Sequence, residues 1–190
     1  MDPDGVVDFL VEAGKLKRIP RTGWVEVGVD HPESVADHCY RTALIAMLLS
    51  DLKGFDSGKI ICMALLHDLA EARIGDLTPT QKAVNLDWIQ REQDASCYLM
   101  SLLPQELIKK YTSIIKDYNE DTSVEARLVH TADKLDMLLQ AIEYGSEGGD
   151  EERLMRFMHV SFEGGVEAEL EKRIKERWKI RRARLQISSG

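Results

Sequence analysis

Apolar residues along this chain recur at helical rather than strand spacing. Val6, Val7, Phe9, Leu10 and Ala13 form one stripe, stopped by Gly14 and preceded by Asp2-Pro3 as cap and first-turn proline. Residues 15–32 carry no period and are interrupted by Pro20, Gly23, Gly28 and Pro32. Ser34-Val35-Ala36-Asp37 reads as a capping box opening a second helix that runs through Leu44, Ile45, Met47 and Leu48 to about Asp51. A third helix, capped by Asp56 or Ser57 and ended by Gly75, is apolar nearly all round: Ile60, Ile61, Met63, Leu65, Leu66, Leu69 and Ile74. Such a helix is expected to be buried. Pro79 precedes a long pattern over 80–102, and Pro104 another over 104–118. Ser123 caps a helix holding Ala126, Leu128, Val129, Ala132, Leu135, Leu138, Leu139 and Ile142. After breaks at Gly145 and Gly148-Gly149, helices over 151–160 and 166–185 complete the chain. Strand alternation is missing, so the pattern predicts an all-α helical bundle.

The apolar third helix nevertheless carries His67-Asp68 and then Glu71. A buried carboxylate without a partner costs several kcal/mol, a large share of a domain's stability of about 5–15 kcal/mol. A divalent cation is the simplest compensation. His38 on the second helix and Asp133 on the late helix arise from similar apolar backgrounds, and join His67 and Asp68 as a candidate ligand set. Imidazoles and carboxylates suit Mn, Fe, Co, Ni or Zn, and an ion preferring six ligands would keep positions for water and substrate. The alternative for any one of these residues is a satisfied core or surface side chain, the reading given to His31, His130 and His159.

Further residues carry paired readings. Glu71 follows His67 by four positions and Asp68 by three, which puts its carboxylate on their face as a base for water; otherwise it pairs with Arg73 at a helix end. Asp76 either donates a proton to a leaving oxygen or caps the turn Asp76-Leu77-Thr78-Pro79. Arg21, in a basic patch with Lys15, Lys17 and Arg18, either grips phosphate through its guanidinium or is solvated. Trp24 either stacks on a base or walls off a sugar, or it anchors its loop to the core.

At 190 residues, 44% hydrophobic and 31% charged, the chain reads as one globular domain over 1–190, with a metal-binding core over about 34–144. No apolar run approaches the ~18 residues of a membrane span, and the acidic N-terminus is unlike a signal peptide. Three scattered cysteines form no disulfide framework, so a cytoplasmic location is expected. A net charge of -8 argues against binding a nucleic-acid polymer. It leaves room for a small phosphate ester, because a cation and an arginine offset the acidic field locally.

His38 in Glu33-Ser34-Val35-Ala36-Asp37-His38, His67-Asp68 after Leu65-Leu66, and Asp133 resemble the H…HD…D signature of the HD-domain metal-dependent phosphohydrolases. The resemblance spans about 15–144. The segments Leu16-Lys17-Arg18-Ile19-Pro20-Arg21-Thr22-Gly23-Trp24 and Gly75-Asp76-Leu77-Thr78-Pro79 bring it nearest to the 5'-deoxynucleotidase branch. It implies an all-helical homodimer that removes phosphate from deoxynucleoside 5'-monophosphates. By the same resemblance Glu71 orients or deprotonates the attacking water, Asp76 assists the leaving oxygen, and Arg21 neutralises phosphoryl charge. One departure stands out: Thr22 and Gly23 separate Arg21 from Trp24, whereas the bacterial arm of the family has Arg and Trp side by side. Alternatives are a phosphodiesterase or nucleoside triphosphate hydrolase on the same metal core, and a metal-stabilised helical adaptor. The adaptor would have no use for Glu71, Asp76 and Arg21.

Overall fold

The computed structural model describes the backbone of residues 3–188 and the side chains through residue 180; the cap expected at Asp2 lies outside the described residues. In chain order the helices are α1 (Pro3–Ala13), α2 (Thr22–Glu26), α3 (Val35–Lys53), α4 (Ser57–Leu66), α5 (Glu71–Ile74), α6 (Pro79–Val84), α7 (Trp88–Ser101), α8 (Gln105–Glu120), α9 (Val124–Ser146), α10 (Glu151–Leu154) and α11 (Gly165–Ser188). Short 3-10 turns occupy Gly14–Arg18 and Met155–His159. Among the described residues there is no strand, only one isolated antiparallel bridge between Pro20 and Ser34. The fold is all-α.

The caps form where side-chain chemistry demands them. Ser34 accepts from the Asp37 N–H while Asp37 accepts from the Ser34 N–H, and α3 ends at Gly54 in the left-handed region. Asp56 caps α4 and Ser123 caps α9. Four expectations from the periodicity need correction. The third helix is broken: α4 stops at Leu66, and 67–70 is a turn before α5. The His67 ring bonds the Ala64 carbonyl at 2.8 Å, the carbonyl a continuing helix would offer to the Asp68 N–H. Bonds from each N–H to the carbonyl three residues back then tighten the chain through Leu69, Glu71, Ala72 and Arg73. The pattern over 80–102 also splits, at Asn85-Leu86-Asp87, where nothing covers Leu86 (96% exposed). α9 passes through Gly145, whose cost of ~1 kcal/mol is small beside that helix's packed face. Finally, 15–32 is not featureless: it holds a 3-10 turn and α2.

Helix α3 packs between α4 and α9, α11 lies on α9, and α7 lies against α8 and α5. One core joins Leu49 of α3, Ile60 and Met63 of α4, and Val129, Leu135 and Leu138 of α9. Met158, Ile174 and Trp178 belong to the same core, so the packed unit extends well past residue 144. A second core joins Leu16, Val35, Cys39, Leu69, Ala72, Leu99 and Met100. Helix α3 contributes to both, and His38 sits on it between Val35 and Thr42, all three buried. Each large apolar side chain buried in these clusters contributes about 1.5–3 kcal/mol. Among the described residues no helix is long and apolar enough to cross a membrane, and Cys39, Cys62 and Cys97 are free thiols.

Candidate metal centre and active site

Local sequence explains how the polar residues reach one place. The α3 capping box fixes where that helix begins and so sets His38 one turn inside it. The break after Leu66 leaves His67 at the end of α4 and Asp68 in the turn beyond. Asp133 projects from the middle of α9, which packs against α3. Arg21 arrives through antiparallel pairing of its loop with the residues leading into α3: the Arg21 N–H donates to the Glu33 carbonyl (3.0 Å) and the Val35 N–H to the Ile19 carbonyl (2.9 Å). Gly75, at a φ of 80°, turns the chain after α5. Asp76 is thereby set against Thr22, whose N–H donates to its carboxylate and whose hydroxyl donates to its carbonyl.

His38, His67, Asp68 and Asp133 converge. His38 Nε2 lies 3.2 Å from Asp133 Oδ1 and 3.7 Å from Asp68 Oδ2, and His67 Nε2 lies 3.1 Å from Asp68 Oδ2. The ligand atoms of His38, His67 and Asp133 all fall within 4.8 Å of one another. Despite these distances, both Nε2 atoms are buried without a hydrogen-bond partner. Nitrogens and carboxylate oxygens thus crowd one place without satisfying one another. The opposite nitrogens of both rings are occupied: His67 Nδ1 faces the Ala64 carbonyl, and His38 Nδ1 faces Asp136 Oδ2 at 2.6 Å. A carbonyl only accepts, so His67 Nδ1 carries a proton, and once a cation displaces the ring's second proton Nε2 presents a lone pair. These orphaned nitrogens, with carboxylates beside them, fit a divalent cation.

Behind the cluster lies a network that the sequence reading did not include. Asp136 is fully buried and takes His38 on one oxygen and the Arg41 Nε–H on the other. Arg41 also donates to Gln140 and to both oxygens of Glu143 (2.7 and 2.8 Å). The signal was spacing: Asp136 follows Asp133 by three residues, and Arg41 follows His38 by three, so each shares a helix face with a candidate ligand. The Cys39 thiol lies within 4.8 Å of the ligand atoms of His67 and Asp68.

Opposed charges at close quarters shift these groups strongly. Burial and Arg21 push the His38 pKa down, but Asp133 and Asp136 outweigh them and raise it to about 9. His67 rises well above its usual range, burial being overcome by Asp68 and Cys39. Asp68 falls below the usual carboxylate range because His67, Arg21 and His38 outweigh burial. Glu71 goes the other way, to about 10, pushed by burial and by Asp68 and Asp76. Raised pKa values mean that the folded, metal-free protein holds protons the unfolded chain releases. That stability is fully present below the unfolded values, near 6.5 for histidine and 4.5 for glutamate. It is lost as pH rises through about 9 to 10, at roughly 1 kcal/mol per pH unit for each proton held. The melting temperature of metal-stripped protein is therefore expected to fall from pH 6.5 to 9.5, by about 2–4 °C per kcal/mol lost. A saturating divalent cation takes the place of those protons and should flatten the slope, which differential scanning calorimetry would measure.

The remaining candidates stand around this centre. Glu71 is buried and its Oε2 has no hydrogen-bond partner; Arg73 pairs with Glu12 instead, so the helix-end pairing does not occur. Arg21 is not solvated: its Nη1 donates to Asp68 (3.2 Å) and Asp76 (3.3 Å), and its Nη2 lies 4.0 Å from Asp133. Asp76 caps no helix, since Thr78 caps α6 with Gln81. Trp24 is only 3% exposed, packed against Tyr144 and Phe157, and its Nε1–H donates to Glu33 at 2.9 Å. It borders the cavity as a core-anchored wall rather than an open stacking surface. His130 stands outside the cluster: it stacks on Tyr118, which meets His67 edge-on. His31 and His159 are exposed. Arg21, Asp68, Glu71 and Asp76 border a cavity of about 880 Å³ that is also lined by Lys82, Trp88 and Tyr118. That volume is in the range of small-molecule sites.

A family model described as an HD domain matches residues 13–178. The chain is 38% identical to a Danio rerio protein named 5'-deoxynucleotidase HDDC2 over 161 residues, covering 85% of this chain and 80% of that one. A Mus musculus protein of the same name is 40% identical over 140 residues, covering 74% of this chain and 70% of its own. Among solved structures, a conserved hypothetical protein from Pyrococcus furiosus superposes with a TM-score of 0.72 at 36% identity, covering 91% of this chain and 99% of that one.

Proposed function

The chain belongs to the HD-domain family, and we propose that it is a 5'-deoxynucleotidase, a metal-dependent hydrolase of deoxynucleoside 5'-monophosphates to deoxynucleoside and phosphate. The observation that carries this is the pair of buried, unpartnered Nε2 atoms of His38 and His67, set beside Asp68 and Asp133 under the Arg21 guanidinium. These four residues would hold one divalent cation (Mn, Co, Zn, Ni or Fe). When bound, such a cation supplies Lewis-acid stabilisation of the phosphoryl group and lowers the pKa of water toward ~7.

The chain's own residues do the rest. Arg21 exchanges part of its hold on Asp68 and Asp76 for the phosphoryl oxygens and neutralises charge as it develops there. The free Oε2 of Glu71 accepts a hydrogen bond from the attacking water and takes its proton. A cation bound beside Glu71 is an opposite charge, which favours the ionised form this step needs. Asp76, held by Thr22, assists departure of the sugar oxygen. Trp24 and the Glu33 it bonds wall the cavity on the Arg21 side. Glu71→Gln, which keeps the shape of a buried neutral group, is expected to lower kcat by about 100- to 10,000-fold while bound metal is unchanged. Full activity in that variant would remove Glu71 from the mechanism.

Product analysis tests the reaction class. Deoxynucleoside plus orthophosphate from a 5'-monophosphate is the expected outcome. Tripolyphosphate from a triphosphate, or a monophosphate from a diester, with monophosphates left intact, would replace it with the diesterase or triphosphate reading. The chain is further proposed to act as a homodimer in a reducing, cytoplasmic setting. The free thiols support the compartment, and sedimentation of the metal-loaded protein tests the dimer.

A further inference from the structure

Arg21, the cation nearest the cluster, is already shared among Asp68, Asp76 and Asp133. Lys116, also on the cavity wall, pairs with Glu120 at 3.6 Å. Lys82 differs from both. Its ammonium lies 4.8 Å from the centre of the Trp88 ring, borders the cavity, and makes no ion pair among the described residues. The backbone beneath it is fixed: the Thr78–Gln81 capping box starts α6, and the Thr78 hydroxyl donates to Glu26 at 3.0 Å, tying this helix to α2. The Lys82 charge is felt by two cavity-lining carboxylates, Glu71 at the reacting end and Glu92, and opposes the upward push on both.

The charge balance of the cavity asks for such a group. A phosphate monoester is close to a dianion at neutral pH. It would face Asp68, Glu71, Asp76 and Asp133, with Glu33 and Glu92 also on the lining, and a divalent cation and Arg21 offset only three of these potential negative charges. We propose that Lys82 is an anion-binding residue of this site, donating from its ammonium to the substrate's phosphate oxygens while Trp88 steadies its aliphatic stem. That the anion is a nucleotide rests on the nucleotidase reading; the anion binding itself does not.

Calorimetric titration of the metal-loaded protein with inorganic phosphate tests this in wild type, Lys82→Met, Lys82→Gln and Lys82→Arg. Methionine keeps an unbranched side chain over Trp88 and removes the ammonium, with both its charge and its donors. Phosphate affinity is expected to fall about 10- to 100-fold in the Met and Gln variants and to stay within about threefold in Lys82→Arg, with bound metal equal in all four. KM for a deoxynucleoside 5'-monophosphate should follow the same ranking, with kcat moving less. Unchanged phosphate affinity in Lys82→Met and Lys82→Gln, or no phosphate binding by wild type, overturns the proposal even if nucleotides are turned over. Failure of wild type to hydrolyse any monophosphate, with the phosphate ranking intact, removes the nucleotidase reading and leaves Lys82 as an anion site.

Discussion

Asp68→Ala is expected to bring metal-dependent phosphate release down by about 1,000-fold or more, since the change removes several kcal/mol of electrostatic stabilisation at once. Asp68 is the carboxylate that approaches both His67 and His38 and also receives Arg21. Its loss therefore weakens the hold on a cation and frees the guanidinium from one of its anchors. Two readouts are expected to move together: bound metal per chain and phosphate release. The fold should survive, because Arg21 keeps Asp76, and residue 68 lies in a turn outside both apolar cores. Activity retained in Asp68→Ala would mean that the reaction does not depend on this cluster.

The second large effect is expected at Asp136, remote from any substrate. It is the fully buried acceptor between His38 and Arg41. Asp136→Asn keeps the shape but weakens the acceptor that fixes the His38 ring, so metal affinity should fall about 10- to 100-fold with a smaller change in folding. Asp136→Ala also leaves Arg41 and His38 without their buried partner. That costs about 3–5 kcal/mol, or roughly 10 °C or more in melting temperature for a chain of this size. Arg41→Gln should be milder, because the Arg41 head also reaches Glu143 at the surface. Chelator competition and thermal melts separate the two consequences. Equal metal affinity in Asp136→Asn and wild type would make Asp136 purely a folding residue.

The helical class and most caps were legible in the sequence because Ser34, Asp56 and Ser123 solve a local problem, the unpaired N–H groups of a helix start. The candidate cluster was legible for a related reason: ionisable side chains on apolar helices need partners, and His38, His67, Asp68 and Asp133 do approach one another in pairs. What periodicity could not give was the break at His67. An imidazole bonding the Ala64 carbonyl leaves no trace in hydrophobic spacing, and Leu69 and Ile74 continue the apolar pattern across the turn. Leu86 misled in the same way, continuing the pattern over a break where no neighbour covers it. Asp136 and Arg41 showed only their three-residue spacing from Asp133 and His38, and Lys82 showed nothing local. Their significance depends on what α3, α6, α7 and α9 bring alongside them, and in sequence each is an ordinary charged helix residue.

The most direct test is phosphate release from deoxynucleoside 5'-monophosphates by metal-stripped protein as one divalent ion at a time (Mn, Co or Zn) is titrated back, with ribonucleotides alongside. The expected result is no release from the stripped protein, then release from the deoxy series that rises with added ion and levels off near one ion per chain. Release that persists after stripping, or silence across the panel with the ion demonstrably bound, would contradict a metal-dependent deoxynucleotidase.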